Sequence, residues 1–138
     1  MSRPENRMQL MDYLGATQIN RVWSWCAVNE DEKRVYFSIW TDNRLREDGA
    51  KVYAIQEPDW GVLENEKKSP ARNDHDYKLS LVLDQGYEAW GYFIEAKDKY
   101  AQPREIANTA TSFVVRLVLS RRADGVIAGE VVDRVEIR

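Results

Sequence analysis

The apolar positions of the chain fall into short alternating runs separated by polar clusters, with two stretches of helical spacing among them. From Pro4 to Leu14, Met8, Leu10, Met11 and Leu14 recur at mixed helical intervals, Pro4 suits a first turn, and Gly15 stands just past the end, which predicts a short helix. Arg21–Val28 and Arg34–Thr41 are rich in aromatic and β-branched residues, and the polar Asn29-Glu30-Asp31-Glu32-Lys33 between them predicts a hairpin turn. In the second of these strands Val35, Phe37 and Ile39 share one face and Tyr36, Ser38 and Trp40 the other. Neither face is plainly polar, so both should be covered, one by a helix and the other beside a cleft.

Lys51–Gln56 reads as a third, weaker strand, Pro58-Asp59-Trp60-Gly61 as a turn, and the charged stretch from Glu64 to Pro70 as an exposed loop. A second helix is signalled by Ser69 as cap, Pro70 in the first turn and Gly86 at the end. Tyr77, Leu81 and Asp84 lie along one ridge with Leu79, Val82 and Leu83 nearby, predicting an apolar stripe against the sheet. Tyr87–Ala96 alternates as a strand. Lys97–Thr109 reads as a loop with one helical turn after Pro103, and Thr111–Leu119 pairs with Val126–Ile137 across a turn containing Asp124-Gly125. The sum is a single α+β domain over residues 1–138: two helices and a curved, mostly antiparallel sheet of about six strands that can curl into a partly open barrel.

Composition narrows the function classes. With 43% hydrophobic and 31% charged residues the chain has the make-up of a soluble globular protein, and no stretch approaches the ~20 apolar residues of a membrane span. No apolar segment follows the basic residues near Met1, so the expected location is the cytoplasm, with no membrane partner. Cys26 is the only cysteine, which excludes an internal disulfide, and its apolar neighbours predict a small core residue rather than a nucleophile. A net charge of −3 excludes a whole-molecule basic field, so any nucleic-acid site must be local.

Five tryptophans in 138 residues are the strongest chemical signal. Trp23 and Trp25, two apart on a strand, point the same way. They either anchor a core or, with Trp40 from the neighbouring strand, wall a slot for a flat base or a methylated cation. The loop from Glu95 to Ile106 follows a hydrophobic strand directly, which makes Lys97, Asp98 and Arg104 polar candidates at the sheet's end, Arg104 for a phosphate or carboxylate. Alternatively, this loop is an Asp-capped turn with a surface arginine. Pro58-Asp59 with Glu95-Ala96-Lys97 imitates the PD…(D/E)xK pattern of metal-dependent nucleases, but a helix is predicted between the two halves, where that fold has one hairpin. His75, the lone histidine, sits among Asp74 and Asp76 in a charged first helical turn and reads as a solvated surface residue. Its isolation leaves no zinc set and no Ser-His-acid set.

Trp23-Ser24-Trp25, the strand ending Ile39-Trp40-Thr41-Asp42, and Ala96-Lys97-Asp98 with Ala101-Gln102-Pro103-Arg104-Glu105-Ile106 resemble a family of small bacterial domains found alone or beside HNH-type nuclease modules in restriction and defence settings. The resemblance implies a DNA-reading module, with modified bases as one target class and the nuclease supplied by a partner, since the chain has no HNH histidines of its own. The resulting expectation is a non-enzymatic domain, needing no cofactor or metal, that holds a nucleobase against Trp23, Trp25 and Trp40, with Lys97, Asp98 and Arg104 as polar contacts. The alternatives are a small metal-dependent nuclease using Glu95 and Lys97, and a protein-interaction or inhibitor module whose aromatics meet another protein.

Overall fold

The computed structural model describes residues 3–18, 25–46, 49–101 and 104–137. In chain order these form α1 (Arg7–Leu14), β1 (Cys26–Asn29), β2 (Arg34–Trp40), β3 (Arg44–Leu45), β4 (Val52–Gln56), α2 (Pro70–Leu83), β5 (Glu88–Ala96), β6 (Ile106–Thr109), β7 (Phe113–Arg121) and β8 (Ile127–Glu136). All eight strands belong to one unclosed sheet in the order β1-β2-β5-β7-β8-β4-β3, with β6 paired to β5. The pairing is antiparallel except between β2 and β5, which run parallel from Arg34↔Glu88 to Trp40↔Ile94. Among the described residues no helix is long and apolar enough to cross a membrane.

The helix signals act as the sequence predicts except at Pro4. Asn6 caps α1 by accepting from the Gln9 amide at 2.9 Å, and Gly15 closes it with φ 65°. Pro4 therefore precedes the helix instead of opening it. Ser69 Oγ accepts from the Arg72 amide at 3.1 Å, and Pro70 occupies the first turn of α2.

Both faces of β2 are covered. Val35, Phe37 and Ile39 join Leu79 and Leu81 of α2 with Val115 and Leu117 of β7 in one core. Tyr36, on the opposite face, joins Leu10 and Met11 of α1 with Trp90, Tyr92 and Ile94 of β5 in a second core, against which Trp25 and Trp40 pack. Cys26 is fully buried in the first core, as its neighbours predict.

Three expectations are corrected. The sheet has eight strands rather than about six, because β3 contributes only two residues and β6 occupies what reads as a loop. β7 pairs only with Ala89–Gly91 of the nine-residue β5, so the far end of β5 presents an open edge, and Ile106–Thr109 fills it. Pro103 lies outside the described residues. The covered face of α2 is not an apolar stripe: Tyr77 is 55% exposed, whereas Arg72, Asp74, His75 and Lys78 are buried beside Leu79 and Leu81. The Lys78 ammonium sits 2.9 Å from Asp74 Oδ1 and donates to the Cys26 carbonyl at 2.9 Å, so the charges are buried as a bonded pair. His75, read as a surface residue, is only 3% exposed.

Candidate functional site

The end of β2, the end of β4 and the first two turns of α2 enclose a cleft of about 470 Å³. Its walls include Trp25, Trp40, Trp60, Gln56, His75 and Arg104. That volume falls in the range of sites for small organic ligands.

The hairpin builds the first wall. Ser38 donates to the Trp25 carbonyl through its backbone N–H at 3.1 Å and through Oγ at 2.7 Å, which sets Trp25 opposite Ser38. Trp40, two residues further along β2, falls on the same side, and the two indole centroids stand 5.7 Å apart at 47°. Both rings are only half-buried. The Arg104 guanidinium lies over the Trp40 ring at 5.2 Å and is held by both Asp42 oxygens, at 2.8 and 2.7 Å. Its fork is thus engaged by a carboxylate of the same chain, so Arg104 serves as a charge-neutralised edge of the cleft.

The opposite wall is Trp60, presented by the turn after β4. Arg72, buried on α2, donates from Nη1 to the carbonyls of Trp60 at 2.6 Å and Pro58 at 3.0 Å, bolting that turn to the helix. Gly61 follows with φ 71°, and a Cβ there would stand 2.6 Å from Arg72 Cβ, so the turn and the helix approach more closely than a side chain permits. The Trp60 ring meets His75 edge-on at 5.3 Å, and Phe37 meets the same imidazole at 5.5 Å.

His75 is fixed by a relay. Its Nδ1 lies 2.7 Å from Gln56 Oε1, and Gln56 Nε2 donates to Asp76 Oδ1 at 3.1 Å. Asp76 also accepts from Arg72 Nε at 3.0 Å and Lys68 Nζ at 2.8 Å. Burial pulls against ionisation of Asp76, but hydrogen bonds from Lys68, Gln56 and Arg72 outweigh it and hold the carboxyl below its ordinary range. Burial pushes the imidazole down to about 4, with Asp76 opposing and Arg72 and Lys78 reinforcing, so His75 is neutral at physiological pH. Deeper in the core, burial raises the Cys26 thiol well above its usual range, which leaves it protonated and unreactive.

Of the six residues predicted for the site, Trp25, Trp40 and Arg104 come together. Trp23 lies outside the described residues. Lys97 and Asp98 are exposed and do not line the cleft: Lys97 pairs with Glu105 at 3.3 Å, and Asp98 caps a turn by accepting from the Tyr100 amide at 2.9 Å. Glu95 is exposed on β5, and among the described residues no group of three or more His, Cys, Asp or Glu could hold a metal ion. Sequence reasoning missed Trp60, Gln56 and His75 as wall residues. The available signal was a buried-type aromatic inside a Pro-Asp-Trp-Gly turn, since a tryptophan in so polar a turn needs a surface to cover. Comparison with protein-family models, with curated proteins and with solved structures returned no match.

Proposed function

We propose that the cleft receives a flat, uncharged heteroaromatic group, and that the chain is a non-enzymatic reader of a nucleobase, modified bases included, presented by a nucleic acid. The observation that carries this reading is the convergence of three half-buried indoles, from Trp25, Trp40 and Trp60, on one cleft of about 470 Å³. Half-buried indoles facing open volume offer stacking area to a ligand, and base–aromatic stacking is worth about 1–3 kcal/mol per base. Two charged residues line the cleft: Arg104 is matched by Asp42, and Glu57 is exposed, which favours a neutral guest over an anionic one. A base reaches such a pocket from a single strand or by extrusion from a duplex.

The resemblance to small bacterial domains beside HNH-type nucleases gives the reading its setting, restriction or defence, with cleavage delegated to a partner. The net charge of −3 implies modest affinity unless that partner adds basic surface. The test is a fluorescence titration with oligonucleotides carrying modified and unmodified bases. Trp40→Ala should weaken binding by about 1–3 kcal/mol without unfolding the protein. Equal binding by wild type and by Trp40→Ala and Trp60→Ala variants would reject the cleft as the site.

A further inference from the structure

The tautomer of His75 can be read from its relay. As a carboxylate Asp76 only accepts, so the Gln56 atom facing it at 3.1 Å must be the amide nitrogen. The Gln56 oxygen then faces His75, and His75 Nδ1, 2.7 Å away, must be the donor. A neutral imidazole has one N–H, so Nε2 carries a lone pair. Among the described residues no hydrogen bond reaches Nε2, although the side chain is 3% exposed and the residue lines the cleft. Among the described residues Nε2 is not one of the fully buried polar atoms left without a partner, so it is reached from the cleft that the residue lines, and a ligand N–H entering there can supply its donor.

We propose that His75 Nε2 is the recognition acceptor of the cleft. It takes a hydrogen bond from a ring or amino N–H on the inserted edge of a neutral planar heterocycle. This rests on the reading of the cleft as a base site and deepens it by naming what the guest must carry. Stacking on indoles is tolerant of base identity, so selectivity has to come from polar groups at the edge of the slot. The edge-on rings of Phe37 and Trp60 and the bond to Gln56 hold the imidazole in one orientation, so little is lost in ordering it when the guest arrives. Because burial keeps the ring neutral down to about pH 4, it is a poor proton acceptor in the catalytic sense but a persistent hydrogen-bond acceptor.

His75 is the only histidine in the chain, so nitrogen NMR of protein labelled at histidine reads this ring alone. In the free protein Nδ1 should resonate as the protonated nitrogen and Nε2 as the unprotonated one. Nucleosides are then compared in matched pairs: adenosine and cytidine against their dimethylamino derivatives, and uridine against its ring-N-methylated derivative. At least one parent should bind about tenfold or more tightly than its donor-less partner, shifting Nε2 while Nδ1 stays in place. His75→Phe should erase that preference, and if this variant does not fold the wild-type nitrogen shifts decide alone. A protonated Nε2 in the free protein overturns the proposal. So does equal binding of both members of every pair with Nε2 unmoved; indole signals that still respond would then leave the cleft reading standing. If no nucleoside or oligonucleotide moves either the indole or the imidazole signals, the cleft reading fails and this inference falls with it.

Discussion

Lowering the pH through the acid range should cost the fold about 3 kcal/mol through His75 alone. The free imidazole titrates at 6.5, and burial brings it down to about 4 in the folded chain, a difference of about 2.5 units at 1.36 kcal/mol each. The groups facing the ring from its surroundings are Asp76, which favours the cation, and Arg72 and Lys78, which oppose it, with the neutral Gln56, Phe37 and Trp60 completing the shell. Since the folded-state value is depressed for a base, the unfolded chain binds the extra proton first. Stability is therefore fully present above 6.5, falls as the pH drops below it, and levels off once the folded ring is also protonated near 4. The assay is urea unfolding at intervals between pH 7 and pH 4 for wild type and His75→Gln. The carboxylates titrate in both proteins, so the difference between the two curves isolates the imidazole. It should close by about 1 kcal/mol per pH unit in the middle of the window. Parallel curves, or a ring that titrates above 6 by NMR in the folded protein, would refute the burial argument.

Asp74→Ala strands the Lys78 ammonium in the core and should cost about 3–5 kcal/mol by chemical denaturation, whereas Asp74→Leu with Lys78→Met should recover most of that loss. Gly61→Ala should destabilise by roughly 2 kcal/mol in thermal melts, through its positive φ and the 2.6 Å approach to Arg72 Cβ; a neutral result would mean the turn is not bolted as described. Arg104→Ala, breaking a partly exposed pair with Asp42, should change stability by less than about 1 kcal/mol, and a larger loss in melts would show that the arginine is structural.

Much of the fold is legible in the sequence, and the part that is not has a common cause. The period-two pattern of β2 announces burial on both faces, and the hairpin register brings Trp25 to Trp40 as the spacing predicts. Gly15, Gly86 and Gly125 all take positive φ at element ends. The first turns of α2, by contrast, look like a solvated face because Arg72, Asp74, His75 and Asp76 are polar. Their burial depends on partners supplied by distant segments: Gln56 for His75, the Pro58 and Trp60 carbonyls for Arg72, and the Cys26 carbonyl for Lys78. No local pattern encodes those partners, so the floor of the cleft stays invisible while its indole wall does not. β6 is hidden for a similar reason, since Asn108 and Thr109 pair with β5 to cover an edge and not to bury an apolar face.

The most direct test of the account is an NMR titration of the tryptophan indole N–H signals with a single-stranded oligonucleotide. Trp90 serves as the internal control, because it lies outside the cleft, clasped by Arg34 at 4.9 Å and Arg116 at 5.7 Å. The account predicts that the Trp25, Trp40 and Trp60 signals move together with a common saturation point while Trp90 stays fixed. Binding that moves Trp90 and leaves the cleft indoles unchanged, or no indole shift with any modified or unmodified strand, would contradict it.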